Sequence, residues 1–457
     1  MTKQISSTLV AFTAGLQCSD IPVTVRTRAK LLMADSVGIA IRAWHDVDST
    51  QVHVRALAAL GLDHGICSVF GSDKRVSPGA AAELNGALIH SLDFDDTYAA
   101  GALHPSTTIL PAVLAAAQQE KASGEDVLAG LIAGIEAVCR LSVALGAANH
   151  YDRGFHPTAT CGTLAAALAV SRVLGLGPEQ TESALGIALS QTAGSLQFLS
   201  NGAWTKRFQV GSAARAGVTS AYLAREGYVG PVEPLEGKHG FLGAYAPHPD
   251  ADRVVEGLGV DWRTLDVAIK PYPACRFAHA AVDALIALRH QHHLGLNQIE
   301  QVVCGLPAKG ILLVGEPITL KRQADTVVQG QFSMPFLAAV ALLDGEVSWD
   351  SYARRLGDPE INRLMQRVDV IQDPDVEALF PASFGARVAI QLKDGRRLEQ
   401  FVASPKGEPD NFVTQDELLT KFRSLVSPYT DSQCSDAILA TIYEIEHSDS
   451  IDALFAC

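Results

Sequence analysis

The 457-residue sequence has few aromatic and charged residues and lacks the motifs of several large enzyme classes. Only 6% of its residues are aromatic and 19% are charged. Its eight cysteines contain no Cys-x-x-Cys pair and no regular spacing, which argues against a disulfide framework and a cysteine metal site. There is no Gly-x-Ser-x-Gly segment, and Gly175-Leu176-Gly177 lacks the strand and helix context of a dinucleotide site. These absences favour a reduced, cytoplasmic protein that uses no cofactor.

Signals for nucleic acids and membranes are also missing. The formal net charge is −14, whereas nucleic-acid binding requires a clustered basic face. The segment Met1–Ile5 lacks the basic start and apolar run of a signal peptide, and apolar runs such as Met334–Leu343 are too short to span a bilayer. We therefore expect neither partner, although a few local Lys and Arg residues can still bind an anionic substrate.

Alanine-rich and leucine-rich segments, with Gly or Pro at their ends, predict helices through most of residues 25–227. From about residue 265 the pattern changes. Val388, Ile390 and Leu392 alternate with polar or small residues, and Asp394-Gly395 predicts a turn into a returning strand. The predicted fold is mainly α, with a large all-helical domain plus a smaller α+β lid domain. The predicted boundaries are 1–267 for the first part of the helical domain, 268–402 for the lid, and 403–457 for the return to the helical domain.

Three carboxylates, those of Asp93, Asp95 and Asp96, lie among apolar residues after a predicted helix. Charged side chains in such surroundings are usually paired or functional. The Asp-Asp-x-x-Asp spacing of Mg²⁺-binding helices is absent, because Ala99 stands at its last position. Two interpretations stay open: a functional carboxylate, with Asp93 as first candidate, or carboxylates that cap the following segment.

Two histidines, His104 and His156, each precede a proline, which favours a loop or a helix start. An apolar helix follows His156, so its imidazole is expected near a helix N-terminus, where a bound anion is stabilised. A structural histidine is the competing interpretation. The spacings between these residues and His279 match no metal signature, and no metal site is predicted.

Two further segments carry basic or reactive groups. Lys206-Arg207, between Trp204 and Phe208, is interpreted either as a clamp for a carboxylate or as snorkelling surface side chains. The densest acid/base set in the chain follows later, in a segment stiffened by two prolines. A buried lysine can act as a base and a thiol near cations can become a thiolate, whereas the competing interpretation is a domain hinge. This set contains Lys270, Tyr272, Cys275 and His279.

Taken in order, these segments resemble the MmgE/PrpD family over nearly the whole chain. The matching stretches are His90-Ser91-Leu92-Asp93-Phe94-Asp95-Asp96-Thr97, His104-Pro105-Ser106, Gly154-Phe155-His156-Pro157, Lys206-Arg207, Lys270-Pro271-Tyr272-Pro273-Ala274-Cys275, Gln331-Phe332-Ser333-Met334-Pro335 and Pro405-Lys406-Gly407.

The resemblance implies a helical domain built from both chain ends, a homodimer, and a metal-free site in a cleft between domains for a small polycarboxylate. It implies that the family's site falls on Asp93, Thr97, His104, His156, Lys206 and Lys270, with Tyr272 and His279 as extensions. Including the reactive thiol and the second basic residue, the predicted catalytic residues are His104, His156, Lys270, Cys275, Asp93 and Tyr272. The predicted substrate-binding residues are Thr97, Lys206, Arg207 and His279.

Two departures from the family bear on the reaction. Decarboxylase-type members tend to have a histidine where this chain has Cys275, and methylcitrate dehydratases resemble Asp-Phe-Asn-Asp-Thr, where this chain has Asp95. The family's shared step is removal of a proton next to a carboxylate, and a thiol suits a second base on the opposite face. The first expectation is therefore two-base epimerisation of iminodisuccinate, with one base being His104 or His156. The alternatives are a 2-methylcitrate dehydratase or cis-aconitate decarboxylase type of lyase, and a non-enzymatic helical binding protein.

Overall fold

A computed structural model describes residues 4–455, so Cys457 lies outside the described residues. The chain forms two compact units. The first comprises Met1–Ile269 and Thr414–Cys457, and the second comprises Lys270–Val413. The first break falls within a few residues of the predicted one, whereas the second follows Val413 rather than residue 402.

Residues 403–413 belong to the second unit because polar contacts attach them to it. The backbone N–H of Lys406 donates to Asp283 Oδ2 at 2.7 Å, and Glu408 forms an ion pair with Arg276. The predicted boundary was placed at the end of the last strand, and the pairing of these side chains cannot be read from the sequence pattern.

The first unit is predominantly helical, and its described residues also include one small antiparallel pair that was not predicted, β1 (Cys67–Ser68) with β2 (Arg75–Val76). The predicted helices are present, and most begin a few residues earlier than predicted, whereas several also end one to three residues earlier. The helices are α1 (Ile5–Gly15), α2 (Val23–Asp46), α3 (Asp48–Ala59), α4 (Pro78–Ile89), α5 (Ser106–Glu120), α6 (Gly124–Leu145), α7 (Ala147–Asp152), α8 (Pro157–Val173), α9 (Pro178–Leu189), α10 (Thr205–Arg225) and α11 (Phe241–Tyr245), with α20 (Gln415–Val426) and α21 (Ser432–Tyr443) from the C-terminal segment.

Glycines let the central helices α4, α5 and α10 pack at backbone distance. A Cβ atom on Gly211 of α10 would lie 2.1 Å from the carbonyl oxygen of Glu83 on α4, and one on Gly86 would lie 2.9 Å from the carbonyl oxygen of Thr107 on α5. Only glycine allows such an approach without displacing the neighbouring backbone. This packing sets the C-terminal end of α4 beside the N-terminal end of α10, where the predicted site residues lie.

Helix α6 is long and apolar enough to cross a membrane, which corrects the expectation that every apolar run is too short. However, 94% of its most apolar window is buried within the structure. An all-round apolar helix of this kind forms the centre of a large helical core.

The second unit is α+β, as predicted, and the mainly α fold class is confirmed. Its sheet has the strand order β4-β3-β5-β6. The β3–β5 and β5–β6 pairs are antiparallel, whereas β3 and β4 are parallel. The predicted turn at Asp394-Gly395 connects β5 and β6. The strands are β3 (Ile299–Leu306), β4 (Val368–Gln372), β5 (Ala386–Leu392) and β6 (Arg397–Val402), and the helices are α12 (His279–His292), α13 (Ala308–Gly310), α14 (Ile318–Lys321), α15 (Val327–Gln331), α16 (Met334–Asp344), α17 (Asp350–Arg355), α18 (Pro359–Met365) and α19 (Pro374–Leu379).

The cysteines are mostly free and buried, but Cys434 is disulfide-bonded. The expectation of a fully reduced chain is therefore wrong at this residue. Scattered cysteines carry no pairing information in their spacing, which is why the sequence did not indicate the bond.

Candidate active site

A buried carboxylate, that of Asp95, joins two histidines at the end of α4. Asp95 Oδ2 lies 2.7 Å from His90 Nδ1 and 2.9 Å from His104 Nδ1. The same His104 nitrogen lies 2.8 Å from the carbonyl oxygen of Asp96. Since a carboxylate and a carbonyl oxygen can only accept here, both imidazoles carry their proton on Nδ1. The His104 ring retains 18% exposure, whereas His90 and Asp95 are fully enclosed.

The charges of this group follow from burial and pairing. Burial alone would raise the pKa of Asp95, but His104 and His90 hold it well below its usual range. Burial lowers the pKa of His90 to about 4, an effect that Lys206 and His104 reinforce and Asp95 opposes. Asp95 is thus an anion and His90 is neutral at pH 7. A buried anion requires compensation, and Asp95 receives it through the Nδ1–H groups of His90 and His104, which both point at its Oδ2.

A third histidine, His156, completes the cluster and is held in one tautomer. Its ring stacks with that of His90 at a centroid distance of 5.8 Å. Gln209 Nε2 donates to the carbonyl oxygen of Ser195 at 2.8 Å, which turns Gln209 Oε1 towards His156 Nδ1 at 3.1 Å. Burial and the neighbouring cations lower the pKa of His156 well below its usual value. His156 is therefore a neutral imidazole with its Nε2 lone pair available as a base.

Lys206 and Asp93 form the charged side of the site. Lys206 Nζ lies 3.0 Å from Asp93 Oδ1. Burial would lower the pKa of Lys206, but Asp93 and Asp95 together raise it above its usual value, so it remains protonated. Asp93 itself has φ = 52°, a left-handed conformation that aspartate tolerates better than most residues.

The side chain of Asp96 has a structural role, as one of the two sequence interpretations proposed. Ser106 at the start of α5 donates its backbone N–H to Asp96 Oδ1 at 3.2 Å and its hydroxyl to Oδ2 at 2.5 Å. Burial raises the pKa of Asp96 to about 8, an effect that the Ser106 hydrogen bond opposes and Asp95 reinforces. Asp96 is thus a mostly protonated acid that caps a helix, next to an ionised Asp95.

This assignment predicts how stability depends on pH. The pKa of Asp96 is near 3.9 in the unfolded chain and about 8 in the fold. The stabilisation is therefore complete below pH 4 and is lost as the pH rises to about 8. Asp96→Asn removes this dependence, so its thermal midpoint should rise relative to wild type between pH 5 and 8. The exposed Asp449→Asn is the control, and parallel wild-type and Asp96→Asn curves would show that Asp96 is ionised.

The C-terminal segment anchors the carboxylate loop, a role that the sequence did not indicate. Lys421 of α20 donates to the carbonyl oxygen of Phe94 at 2.9 Å, lies 3.6 Å from the centre of the Phe94 ring, and pairs with Asp35 Oδ1 at 2.5 Å. Phe94 stands between the two functional carboxylates, so this buried lysine fixes their backbone. Lys421 lies more than 300 residues after Phe94 in the sequence, so no local motif connects the two residues.

The remaining predicted residues divide into three groups. Thr97 is buried next to the cluster, and its Oγ1 has no hydrogen-bond partner among the described residues. Arg207 does not join Lys206 in a clamp, because adjacent residues on a helix point about 100° apart, and Arg207 donates instead to Ser49 Oγ at 3.2 Å.

The third group belongs to the second unit. Lys270 and Cys275 are buried there, and Tyr272 and His279 are in edge-to-face contact at a centroid distance of 5.4 Å. Tyr272 donates to Asp283 at 2.6 Å, and His279 Nε2 donates to the carbonyl oxygen of Ala274 at 3.1 Å. Their assignment to the site stays a prediction.

The folded chain also assembles a set of metal-ligand types that sequence spacing did not reveal. One ligand atom each of His90, Asp95 and His104 lies within 4.8 Å of the others. The sequence analysis compared only the spacings of His104, His156 and His279, so it did not find this set. In this arrangement the Nδ1–H groups of His90 and His104 both point at Asp95 Oδ2, whereas the buried Asp95 Oδ1 has no hydrogen-bond partner among the described residues. Metal independence stays a prediction.

Several known enzymes are similar to this chain in sequence over most of their length. The chain is 30% identical to the cis-aconitate decarboxylase-like protein oryM of Aspergillus oryzae over 99% of this chain and 96% of that protein. It is 31% identical to the cis-aconitate decarboxylase of Aspergillus terreus over 93% and 90%. It is 24% identical to the mitochondrial 2-methylcitrate dehydratase of Yarrowia lipolytica over 83% and 76%.

Two family models cover most of the chain. The MmgE/PrpD N-terminal domain matches residues 7–254, and the MmgE/PrpD C-terminal domain matches residues 272–445. The break between the two matches contains the boundary between the two structural units. The homodimer, the cytoplasmic location and the absence of nucleic-acid and membrane partners stay predictions. The chain belongs to the MmgE/PrpD family.

Proposed function

We propose that this protein is a lyase that removes CO₂ from a small unsaturated tricarboxylate of the cis-aconitate type. Relatives named cis-aconitate decarboxylase match it at 28–31% identity over 93–99% of its length, and they are closer than the 2-methylcitrate dehydratase. The observation that carries the proposal is the Asp95–His104 contact, in which a buried carboxylate holds the imidazole Nδ1–H at 2.9 Å, beside neutral His156 and protonated Lys206.

The chemistry of such a decarboxylation defines what a site must provide. The bond between a methylene carbon and its carboxylate breaks, and CO₂ leaves. The electron pair forms a new double bond to the central carbon, while the former double bond shifts its electrons to the far carbon, which takes up one proton. The site must therefore hold the two remaining carboxylates and deliver one proton. No abstraction by a base is required.

His104 fits the role of the proton donor. Its Nδ1–H is held by Asp95 Oδ2 and by the carbonyl oxygen of Asp96, which leaves Nε2 to deliver the proton. The buried negative charge of Asp95 stabilises the imidazolium. Because the ring is partly exposed, solvent can reprotonate it after each turnover.

Lys206 and Thr97 fit the role of carboxylate binding. The Lys206 ammonium provides a charge-assisted contact, and Asp93 fixes its position. The buried Thr97 Oγ1 lacks a partner among the described residues, and a bound carboxylate would accept its hydrogen bond. The predicted contribution of Lys270 from the second unit is part of this proposal.

A dehydratase is the second candidate, and neutral His156 is the observation that favours it. With Nδ1–H held by Gln209, His156 Nε2 could remove a proton next to a carboxylate while His104 protonates the departing hydroxyl. Epimerisation of iminodisuccinate, the first expectation from the sequence, gains no support from the relatives, which are decarboxylases and a dehydratase.

Parallel turnovers in D₂O distinguish these reactions. We expect cis-aconitate to release CO₂ and give an unsaturated dicarboxylate that carries one deuterium per CO₂, as seen by NMR. If 2-methylcitrate loses water faster than cis-aconitate loses CO₂, the decarboxylase proposal is wrong and the dehydratase is favoured. Deuterium exchange in iminodisuccinate, without turnover of cis-aconitate or 2-methylcitrate, would support the epimerase instead. If none of the three compounds reacts, a binding protein is favoured.

A further inference from the structure

A second pocket lies in the first unit, on the face of α10 that carries Arg207. It has a volume of about 660 Å³, within the usual range for small-molecule sites. Helices α3, α4 and α10 form its walls, and none of the site histidines lines it. The wall is mostly apolar and includes Val52, Leu57, Leu60, Leu84, Trp204 and Phe208. We call it the Arg207 pocket.

Two basic side chains at this pocket already share one carboxylate. Glu83, a buried carboxylate on α4, pairs with His53 at 2.7 Å and with Arg215 at 3.1 Å. Burial would raise the pKa of Glu83, but these two partners lower it below its usual value, so it is ionised. One carboxylate thus satisfies both neighbouring basic groups.

Arg207 has no such partner. Its guanidinium donates to Ser49 Oγ at 3.2 Å, and no carboxylate of residues 4–455 lies within ion-pair distance of it. Arg207 is half-buried, and burial lowers its pKa, with Asp48 and Asp93 opposing at longer range. A guanidinium offers five N–H donors in a planar fork that matches a carboxylate. A desolvated arginine with unused donors in an apolar pocket is therefore complementary to an anion.

We propose that the Arg207 pocket binds a small amphipathic monocarboxylate, with its carboxylate on Arg207 and its apolar body against Trp204, Phe208 and the leucines. A single unpaired cation matches a single negative charge. Glu83 in the wall of the same pocket already serves His53 and Arg215, so these two basic groups do not require a second carboxylate. This ligand class differs from the polycarboxylate proposed for the active site, and the inference does not depend on that proposal.

Calorimetric titration with decanoate below its micelle concentration tests the inference without any substrate. We expect saturable binding with one site per chain. Arg207→Gln, which keeps a donor for Ser49, should weaken decanoate binding by about tenfold or more, since a charge-assisted hydrogen bond is lost. Decan-1-ol, which has the same chain without the charge, should bind wild type and Arg207→Gln about equally. Arg225→Gln removes a partly exposed arginine at the end of α10, outside the pocket, and should change the binding of neither ligand.

A second variant keeps the test independent of Arg207. Ala56 is an exposed residue of α3 that lines the pocket, so Ala56→Phe should fill the pocket and abolish binding of both ligands. Decanoate should change the fluorescence of wild-type protein through Trp204, and this change should be absent in Trp204→Phe.

The proposal fails if decanoate does not bind, or if it binds equally to wild type and Arg207→Gln. A second copy of the chain is the alternative occupant, and sedimentation tests it. The proposal also fails if the wild-type protein is a dimer, if Phe208→Asp dissociates this dimer, and if decanoate binds only to the dissociated chain.

Discussion

His104→Gln is expected to lower kcat for the tricarboxylate by about 10²–10⁴-fold, the usual contribution of a positioned general acid. Glutamine can still donate to Asp95, so the loop should keep its conformation, but it cannot deliver a proton. KM should change little, because Lys206 and Thr97 remain to bind carboxylates. Steady-state kinetics by CO₂ release measures both parameters.

His248, an exposed histidine outside the cluster, provides the matched control. His248→Gln should keep wild-type kinetics. If His104→Gln also does so in a folded protein, His104 is not the acid and the proposed chemistry loses its proton source.

Asp95→Asn is expected to reduce kcat by on the order of 10²–10⁴-fold, although Asp95 transfers no proton itself. The substitution removes the negative charge that accepts the Nδ1–H hydrogen bonds of His90 and His104. The amide keeps a neutral acceptor oxygen there, so the loop is retained while the charge next to the proposed acid is lost. Asparagine also occurs at this position in the dehydratase-like pattern of the family, so the variant should be assayed with 2-methylcitrate as well.

A double variant separates this positioning role from a general loss of structure. If Asp95 acts through His104, Asp95→Asn/His104→Gln should be no slower than His104→Gln alone, because the two losses are not additive. The Asp96→Asn variant serves as the control for the loop, since Asp96 caps α5 and should leave kcat largely unchanged. Additive losses would contradict the role assigned to Asp95.

Much of the fold was predictable because its signals are local. Apolar periodicity with Gly and Pro ends located the long helices, and alternation with Asp394-Gly395 located the β5–β6 hairpin. Strand β4 was missed because its pairing with β3 is a non-local parallel contact, and the alternation of Val368-Asp369-Val370 ends after three residues at Ile371.

The site was only partly predictable, for a similar reason. The His-Pro pairs correctly placed His104 and His156 at helix starts. The sequence could not show which of three neighbouring aspartates is ionised, because that depends on His90, His104 and Ser106 after folding. It also paired Lys206 with Arg207 as neighbours in sequence, although the helix directs them to different places. Gln209 and Lys421 carry no motif, and only their contacts reveal their roles.

The most direct test of this account is ¹⁵N NMR of the histidine side chains at pH 7, assigned with single His→Gln variants of His90, His104 and His156. We predict that His104 carries a proton on Nδ1, because Asp95 Oδ2 and the carbonyl oxygen of Asp96 accept from that nitrogen. His90 and His156 should be neutral, with the proton on Nδ1 in each, since Asp95 and Gln209 accept from those nitrogens. A His104 without a proton on Nδ1, or a protonated His156, would contradict the assignment of acid and base on which the proposed function rests.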